Sequence, residues 1–253
     1  MFRRAITRKP GRNAADGLTT STIGLPDYGN LIRQHDAYVQ TLSNLGLEVI
    51  VLEAEPGYPD AYFVEDVAVV TPEIAVITIP GALSRQGEQE SIEPVLAQFR
   101  RIKRIEPPGT VEGGDVLLVG KHCFIGISER TNALGARQLG CFLEEYGYSW
   151  EPISVDAGLH LKSSVNDLGQ DTLIMTRTLS RLEAFKRFTA VIVNENETNA
   201  ANTMLVNDHL IIPAGYPLTK KELSDLDRKV IELDVSEVSK MDGGLTCMSL
   251  RLT

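Results

Sequence analysis

The sequence predicts an α/β fold of five repeats set in a ring around one polar centre, and three observations predict it. A helix followed by short strands recurs about every forty to fifty residues, a period of repeat architectures that include propellers. Between the helices, β-branched runs joined by turn signals read as hairpins: VLLV-GK-HCFIGI, TMLV-ND-HLIIP and DVAVV-TPE-IAVITI. The residues that open the strand after each long loop are polar in every round: FVED, TVEGGD, LHLKSS, ETNAAN and DGGLTC. Arranged about an axis, these corners converge on one cavity built from residues far apart in the chain.

The elements follow in order. A first helix is expected from Tyr28 to Leu45, with Leu31, Tyr38, Leu42 and Leu45 on one face and Gly46 as the stop, followed by the strand LEVIVLE. A second, from Ser91 to Ile102, places Ile92, Val95, Leu96, Phe99 and Ile102 on one stripe. A third runs from Asn132 to Tyr146. The fourth opens with Ser180 and Glu183 and the fifth with Thr219 and Glu222, both in the S/T-x-x-E arrangement that satisfies free amides at a helix start.

Composition narrows the function classes. With 253 residues, 43% of them apolar, the chain can bury a core without disulfides or metals, and residues 1–253 are expected to form a single domain. A formal charge of −9 argues against nucleic acid and favours a small cation. The start MFRRAITRKPGRN turns polar where a signal peptide would be apolar, and no later run approaches membrane-spanning length. The protein is therefore expected to be soluble and cytoplasmic, with no membrane partner. Cys123, Cys141 and Cys247 are an odd number at no metal-ligand spacing, which fits a reducing compartment and no structural zinc.

Cys247 is the candidate nucleophile. Cys141 in mid-helix and Cys123 in mid-strand read as small hydrophobes, whereas Cys247 follows Gly243-Gly244, glycines that let backbone approach a ligand. A thiol needs a cation or base to favour its thiolate. Among the four histidines, only His160 opens a strand at a corner, which makes it the candidate acid/base. Glu112 is placed to orient His160, Asp115 to support it, and Glu65 and Asp66 form an acidic pair at the equivalent corner. Buried acids without a partner are costly, so a cluster of them around a closed centre implies a cation that completes it. Taken singly, these acids read as turn caps at a solvated rim.

The strings FVEDVAVV, GTVEGGDVL, IGISERTN, LHLKSSV and DGGLTCMSLRL, in this order and at these spacings, resemble dimethylarginine dimethylaminohydrolase of the guanidino-modifying, or pentein, superfamily, from about Phe2 to Leu252. The resemblance implies a five-bladed α/β propeller of ββαβ modules about a pseudo-fivefold axis, and hydrolysis of methylated arginine to citrulline without a metal or organic cofactor. It implies Cys247, His160 and Glu112 as the catalytic residues, and Glu65 and Asp66 as guanidinium-binding acids. Asp60 and the Leu18 backbone would hold the amino-acid end, Arg85 and Arg130 its carboxylate, Phe63 would line the pocket and Met241 would offer its carbonyl. Related deiminases commonly carry Asp two residues after the catalytic His, where this chain has Lys162. Arginine deiminase is usually longer, agmatine leaves Arg85 and Arg130 without a purpose, and an amidinotransferase is left open. A ribosome-binding factor on the same propeller would leave Cys247, His160 and Glu112 incidental, and the acidic charge speaks against it. Oligomeric state is left open, a homodimer being one option.

Overall fold

In the computed structural model, which describes residues 1–155 and 159–253, the strands assemble into five three-stranded sheets. Four are continuous in sequence. The first holds β3 (Ala68–Val70), β4 (Ile74–Ile77) and β5 (Arg101–Arg104), and the second β6 (Val116–Val119), β7 (His122–Ile127) and β8 (Ser149–Ser154). The third holds β9 (Val165–Gly169), β10 (Thr172–Met175) and β11 (Thr189–Ile192), and the fourth β12 (Met204–Val206), β13 (His209–Pro213) and β14 (Lys229–Leu233). In each, the first strand pairs antiparallel with the second through a tight hairpin, and the second pairs parallel with the third after a crossover. The fifth joins the two ends of the chain: β1 (Arg4–Arg8) lies between β15 (Leu250–Leu252), antiparallel, and β2 (Glu48–Leu52), parallel.

The crossovers show where propensity and context compete. Helix α1 (Tyr28–Asn44) starts where expected, its end capped by Asp27, whose side chain accepts from the Asn30 amide. Helix α2 is one turn, Glu93–Leu96, preceded by a 3₁₀ turn at Glu88–Ser91; Ile102 belongs to β5, where it pairs with Ala75. The expected stripe is real for Ile92 and Leu96, both buried, but the short connection leaves no length for a longer helix. Helix α3 (Ala133–Glu144) is capped by Asn132.

Neither S/T-x-x-E signal acts as a capping box. The expected fourth helix is two 3₁₀ turns, Leu179–Arg181 and Glu183–Phe185, split by extended Leu182, while the Ser180 hydroxyl donates to the Arg177 carbonyl. The apolar residues there, Leu179, Leu182, Phe185 and Phe188, stand three apart, the spacing that aligns one face of a 3₁₀ helix. The fifth helix, α4 (Pro217–Ser224), begins before Thr219, and a distant carboxylate caps it: Glu197 accepts from the Leu218 and Thr219 amides and from the Thr219 hydroxyl.

Buried apolar residues fall into clusters between neighbouring sheets. Leu139 and Leu143 of α3 pack with Val69, Ile74 and Val76 of the adjacent module, and Leu31, Tyr38 and Leu42 of α1 pack with Met204, Val206 and Ile211. Each such leucine contributes roughly 1.5–3 kcal/mol, so the helices hold modules to one another as well as to their own sheets. Inward of the sheets, each polar corner ends in a 3₁₀ turn, at Val64–Val67, Gly113–Asp115, Leu161–Ser163, Glu195–Ala201 and Thr246–Met248. Successive turns touch one another, and Asn202 closes the ring by two hydrogen bonds to Thr246. The five corners therefore meet as expected.

Candidate active site

Cys247 lies in the last corner turn, on a small cavity lined also by Leu18, Asp60, Phe63, Asp66, Arg85, Glu112, Arg130, His160 and Met241. Ten of the eleven expected site residues thus share one cavity. The exception is Glu65, which lines a larger cavity of about 390 Å³ that runs along the innermost strands and reaches the corner residues Gly113, Lys162 and Thr246.

Local packing explains the glycines. A Cβ on Gly243 would fall 2.3 Å from the Phe63 ring and one on Gly244 2.4 Å from the Asn202 amide, so these glycines are needed for the corner to pack, and Gly243 also lines the cavity. A Cβ on Gly113 would meet the Glu65 carbonyl at 2.0 Å, and one on Gly114 the His160 ring at 2.7 Å. The Gly-Gly pairs are what allow corners from different modules to touch. Tyr38 of α1, buried, donates to the Leu245 carbonyl and bonds the Ser249 hydroxyl, pinning the turn that carries the thiol.

His160 is buried, with Nε2 2.7 Å from Glu112 Oε2 and 3.9 Å from Asp66 Oδ1. Burial works against its cation, but Asp66, the Glu112 hydrogen bond and Asp115 outweigh it and hold its pKa up to about 9. Asp115 is itself fixed, accepting from the Leu161 amide and the Ser128 hydroxyl. Asp66 accepts from the Gly114 amide at 3.0 Å and from Arg85 Nη1 at 2.6 Å; against the cost of burial, His160 and Arg85 hold it below the usual carboxylate range. Burial, then Glu65 and Asp66, push the Cys247 thiol up to about 12. The site thus pairs a cationic imidazole with a protonated thiol and awaits a positive charge.

Lys162 does not point to solvent. Its Nζ sits 2.6 Å from Glu65 Oε1, which also accepts from Arg251 Nη2 at 3.3 Å, while Glu65 Oε2 is buried without a hydrogen bond. At the other end of the cavity, both oxygens of Asp60 accept from the Leu18 amide. The Leu18 loop is tied down by Thr19 to the Lys240 carbonyl and by Thr20 to Asp242. Sequence reasoning missed Asp242, Arg251 and Glu88; a charged residue inside the apolar strand MSLRL was the legible sign for Arg251. Donor atoms of Asp66, Glu112 and His160 lie within 4.8 Å of one another, close enough to ligate a cation, though each is already engaged in the network above.

A Cys–His–Glu centre beside an acidic pair, inside a ring of five α/β modules, defines a propeller-fold hydrolase of the guanidino-modifying type. The N-terminal domain of ArgZ, an arginine dihydrolase, shares this fold at 20% identity, with a TM-score of 0.86 over 99% of this chain and 97% of that one. Residues 28–181 match the family described as eukaryotic N,N dimethylarginine dimethylhydrolase. The dimethylarginine dimethylaminohydrolase of Pseudomonas aeruginosa is 43% identical over 99% of this chain and 100% of its own, and that of Streptomyces coelicolor 35% identical over 99% and 97%. A cysteine-to-serine variant of the Pseudomonas protein in complex with citrulline has a TM-score of 0.98 at 42% identity over 99% of both chains. The chain belongs to the dimethylarginine dimethylaminohydrolase family.

Proposed function

We propose that this chain hydrolyses Nω-methylated arginines, asymmetric dimethylarginine and monomethylarginine, to citrulline and dimethylamine or methylamine, with residues 1–253 as one catalytic unit. The observation that carries this reading is the meeting of Cys247, the His160–Glu112 pair and Asp66 on one cavity, with Glu65 near enough to act on the Cys247 thiol from the neighbouring cavity.

A guanidinium carbon is a poor electrophile because resonance spreads its charge, so the group must be held while a strong nucleophile attacks. Asp66 and the unpartnered Glu65 Oε2 accept its N–H groups. The substrate's charge lowers the thiol pKa, the thiol proton passes to solvent, and the Cys247 thiolate adds to the carbon. His160, cationic at neutral pH, gives its proton to the departing amine, leaving a thiouronium on sulfur; it then takes a proton from the water that hydrolyses this intermediate. Glu112 orients His160. Asp60 and the carbonyls of Leu18 and Met241 hold the α-amino group, Arg130 and Arg85 the carboxylate, and Phe63 forms the wall. No step requires a metal or an organic cofactor. Among the described residues no helix is long and apolar enough to cross a membrane; a cytoplasmic location is proposed with the activity, and a homodimer remains an option.

Citrulline release from asymmetric dimethylarginine by the purified protein, and its loss in Cys247→Ser with the fold retained, tests the reading. A Cys247→Ser protein that keeps more than a small fraction of the wild-type rate overturns the covalent route.

A further inference from the structure

Glu88 is a buried carboxylate that the cysteine chemistry does not use. It opens the 3₁₀ turn at Glu88–Ser91, is 2% exposed, and faces Arg85, which is 4% exposed. The contact is two-sided: Arg85 Nε lies 3.1 and 3.2 Å from Glu88 Oε1 and Oε2, and Nη2 lies 2.8 Å from Oε2.

A guanidinium has five N–H groups in a rigid plane, and here they can be accounted for one by one. Nε spends its single N–H on Glu88. One N–H of Nη2 also goes to Glu88, and the other is shared by the carbonyls of Asp60 and Phe63, each at 3.3 Å. One N–H of Nη1 goes to Asp66 at 2.6 Å. The next carboxylate, Glu112, is 4.0 Å from Nη1, beyond hydrogen-bond reach. A single N–H is left, on a side chain that lines the same cavity as Cys247, Leu18 and Asp60.

We propose that Glu88 is a positioning residue for the amino-acid end of the substrate: by gripping one edge of the Arg85 fork it fixes the plane in which the one free N–H meets the substrate carboxylate. This rests on the reading that Arg85 serves that carboxylate. A fork held on one edge by two parallel bonds cannot rotate, so the cost of ordering it is met before the substrate arrives. The alternative is that Glu88 merely neutralises a buried arginine. Burial pushes the Glu88 pKa up to about 7 against the opposing pull of Arg85. Glutamine fits the space but sets an NH₂ against an Arg85 N–H, which removes one of the parallel bonds and frees the plane.

The test compares wild type, Glu88→Gln and Glu88→Asp in two assays: turnover of asymmetric dimethylarginine, and inactivation of Cys247 by chloroacetamidine, a cation with no carboxylate. Glu88→Gln is expected to raise KM about tenfold with kcat within about twofold, and to leave the inactivation rate unchanged. Glu88→Asp, which keeps the charge but shortens the grip, should raise KM less. An unchanged KM overturns the proposal, and so does a parallel loss in both assays, the signature of a role in folding alone. Wild-type protein that reacts with chloroacetamidine yet releases no citrulline removes the functional reading and the proposal together, whereas normal wild-type turnover with no KM effect removes the proposal alone.

Discussion

Alkylation of Cys247 by a cation and by its neutral isostere measures how much the acidic corner depends on a positive guest. With the thiol pushed up to about 12, only about one molecule in ten thousand is ionised at pH 8. A unit charge about 4 Å away, at an effective dielectric constant of about 20, is worth about 4 kcal/mol, roughly three pKa units. A guanidinium-like cation seated against Asp66 and Glu65 should therefore raise the ionised fraction about a thousandfold. The assay pairs chloroacetamidine with chloroacetamide, similar in shape and different in charge, and follows each cysteine by peptide mass spectrometry. Cys141, exposed on α3, is the internal reference. Cys247 should prefer the cation by about a thousandfold more than Cys141 does, and its reaction with the neutral reagent should climb about tenfold per pH unit between pH 8 and 10. A preference at Cys247 within about tenfold of that at Cys141 would refute substrate-assisted ionisation.

Further predictions concern the proton carrier, specificity, the carboxylate anchor and acid stability. Glu112→Gln removes the charged hydrogen bond that helps keep His160 protonated; at about 1.5–3 kcal/mol this lowers its pKa by roughly one to two units, and the alkaline limb of kcat should move to lower pH by that amount. An unmoved limb would show that another group donates the proton. Because Lys162 and Arg251 occupy Glu65 Oε1, no second full carboxylate demands guanidinium hydrogens, and methylated arginines should exceed arginine in kcat/KM by at least about tenfold; direct competition between the two checks this, and equal processing of arginine would sink it. Arg130→Ala should raise KM far more than it changes kcat, since Arg130 lines the cavity and is read as pairing with the substrate carboxylate; a comparable fall in kcat would trace instead to its approach to Glu112, 3.7 Å away. His35 is buried on α1, and burial depresses its pKa to about 4 against the weaker opposing pull of Asp36 and the Arg8 backbone. Its neutral form is favoured in the fold, so the stability it supports is complete above about pH 6.5 and is lost as pH falls towards 4, by roughly 3 kcal/mol. His35→Leu should flatten the fall in Tm across that window, and an unchanged acid slope would assign it to other groups.

Legibility followed physics. The ring, its hairpins and the convergence of five polar corners were readable because alternation and turn residues are local, and the corners that carry Cys247, His160 and Glu112 recur at a fixed place in each repeat. The crossovers were less readable. Ser180/Glu183 and Thr219/Glu222 carry the letters of a capping box, but the first sits in a stretch with 3₁₀ spacing and the second lies inside a helix already capped by Glu197, twenty-two residues upstream of Thr219 in sequence. Pairings across the ring were invisible: nothing near Lys162 in sequence announces Glu65, and nothing near Arg85 except Glu88 shows that most of its donors are already taken.

The placement of Cys247 three residues before β15 ties the nucleophile to the sheet in which β15 pairs with β1. Until Leu250–Leu252 pairs with β1, the fifth sheet lacks its inner strand, and the turn at Thr246–Met248 is held from its N-terminal side, by Tyr38 and Asn202. A growing chain therefore carries Glu65, Asp66, Glu112 and His160 before Cys247 is made, and a fragment ending before Cys247 keeps the acids and the histidine without the nucleophile. The strand that follows the nucleophile is thus anchored on β1, so the setting of the thiol depends on a pairing between residues more than two hundred positions apart.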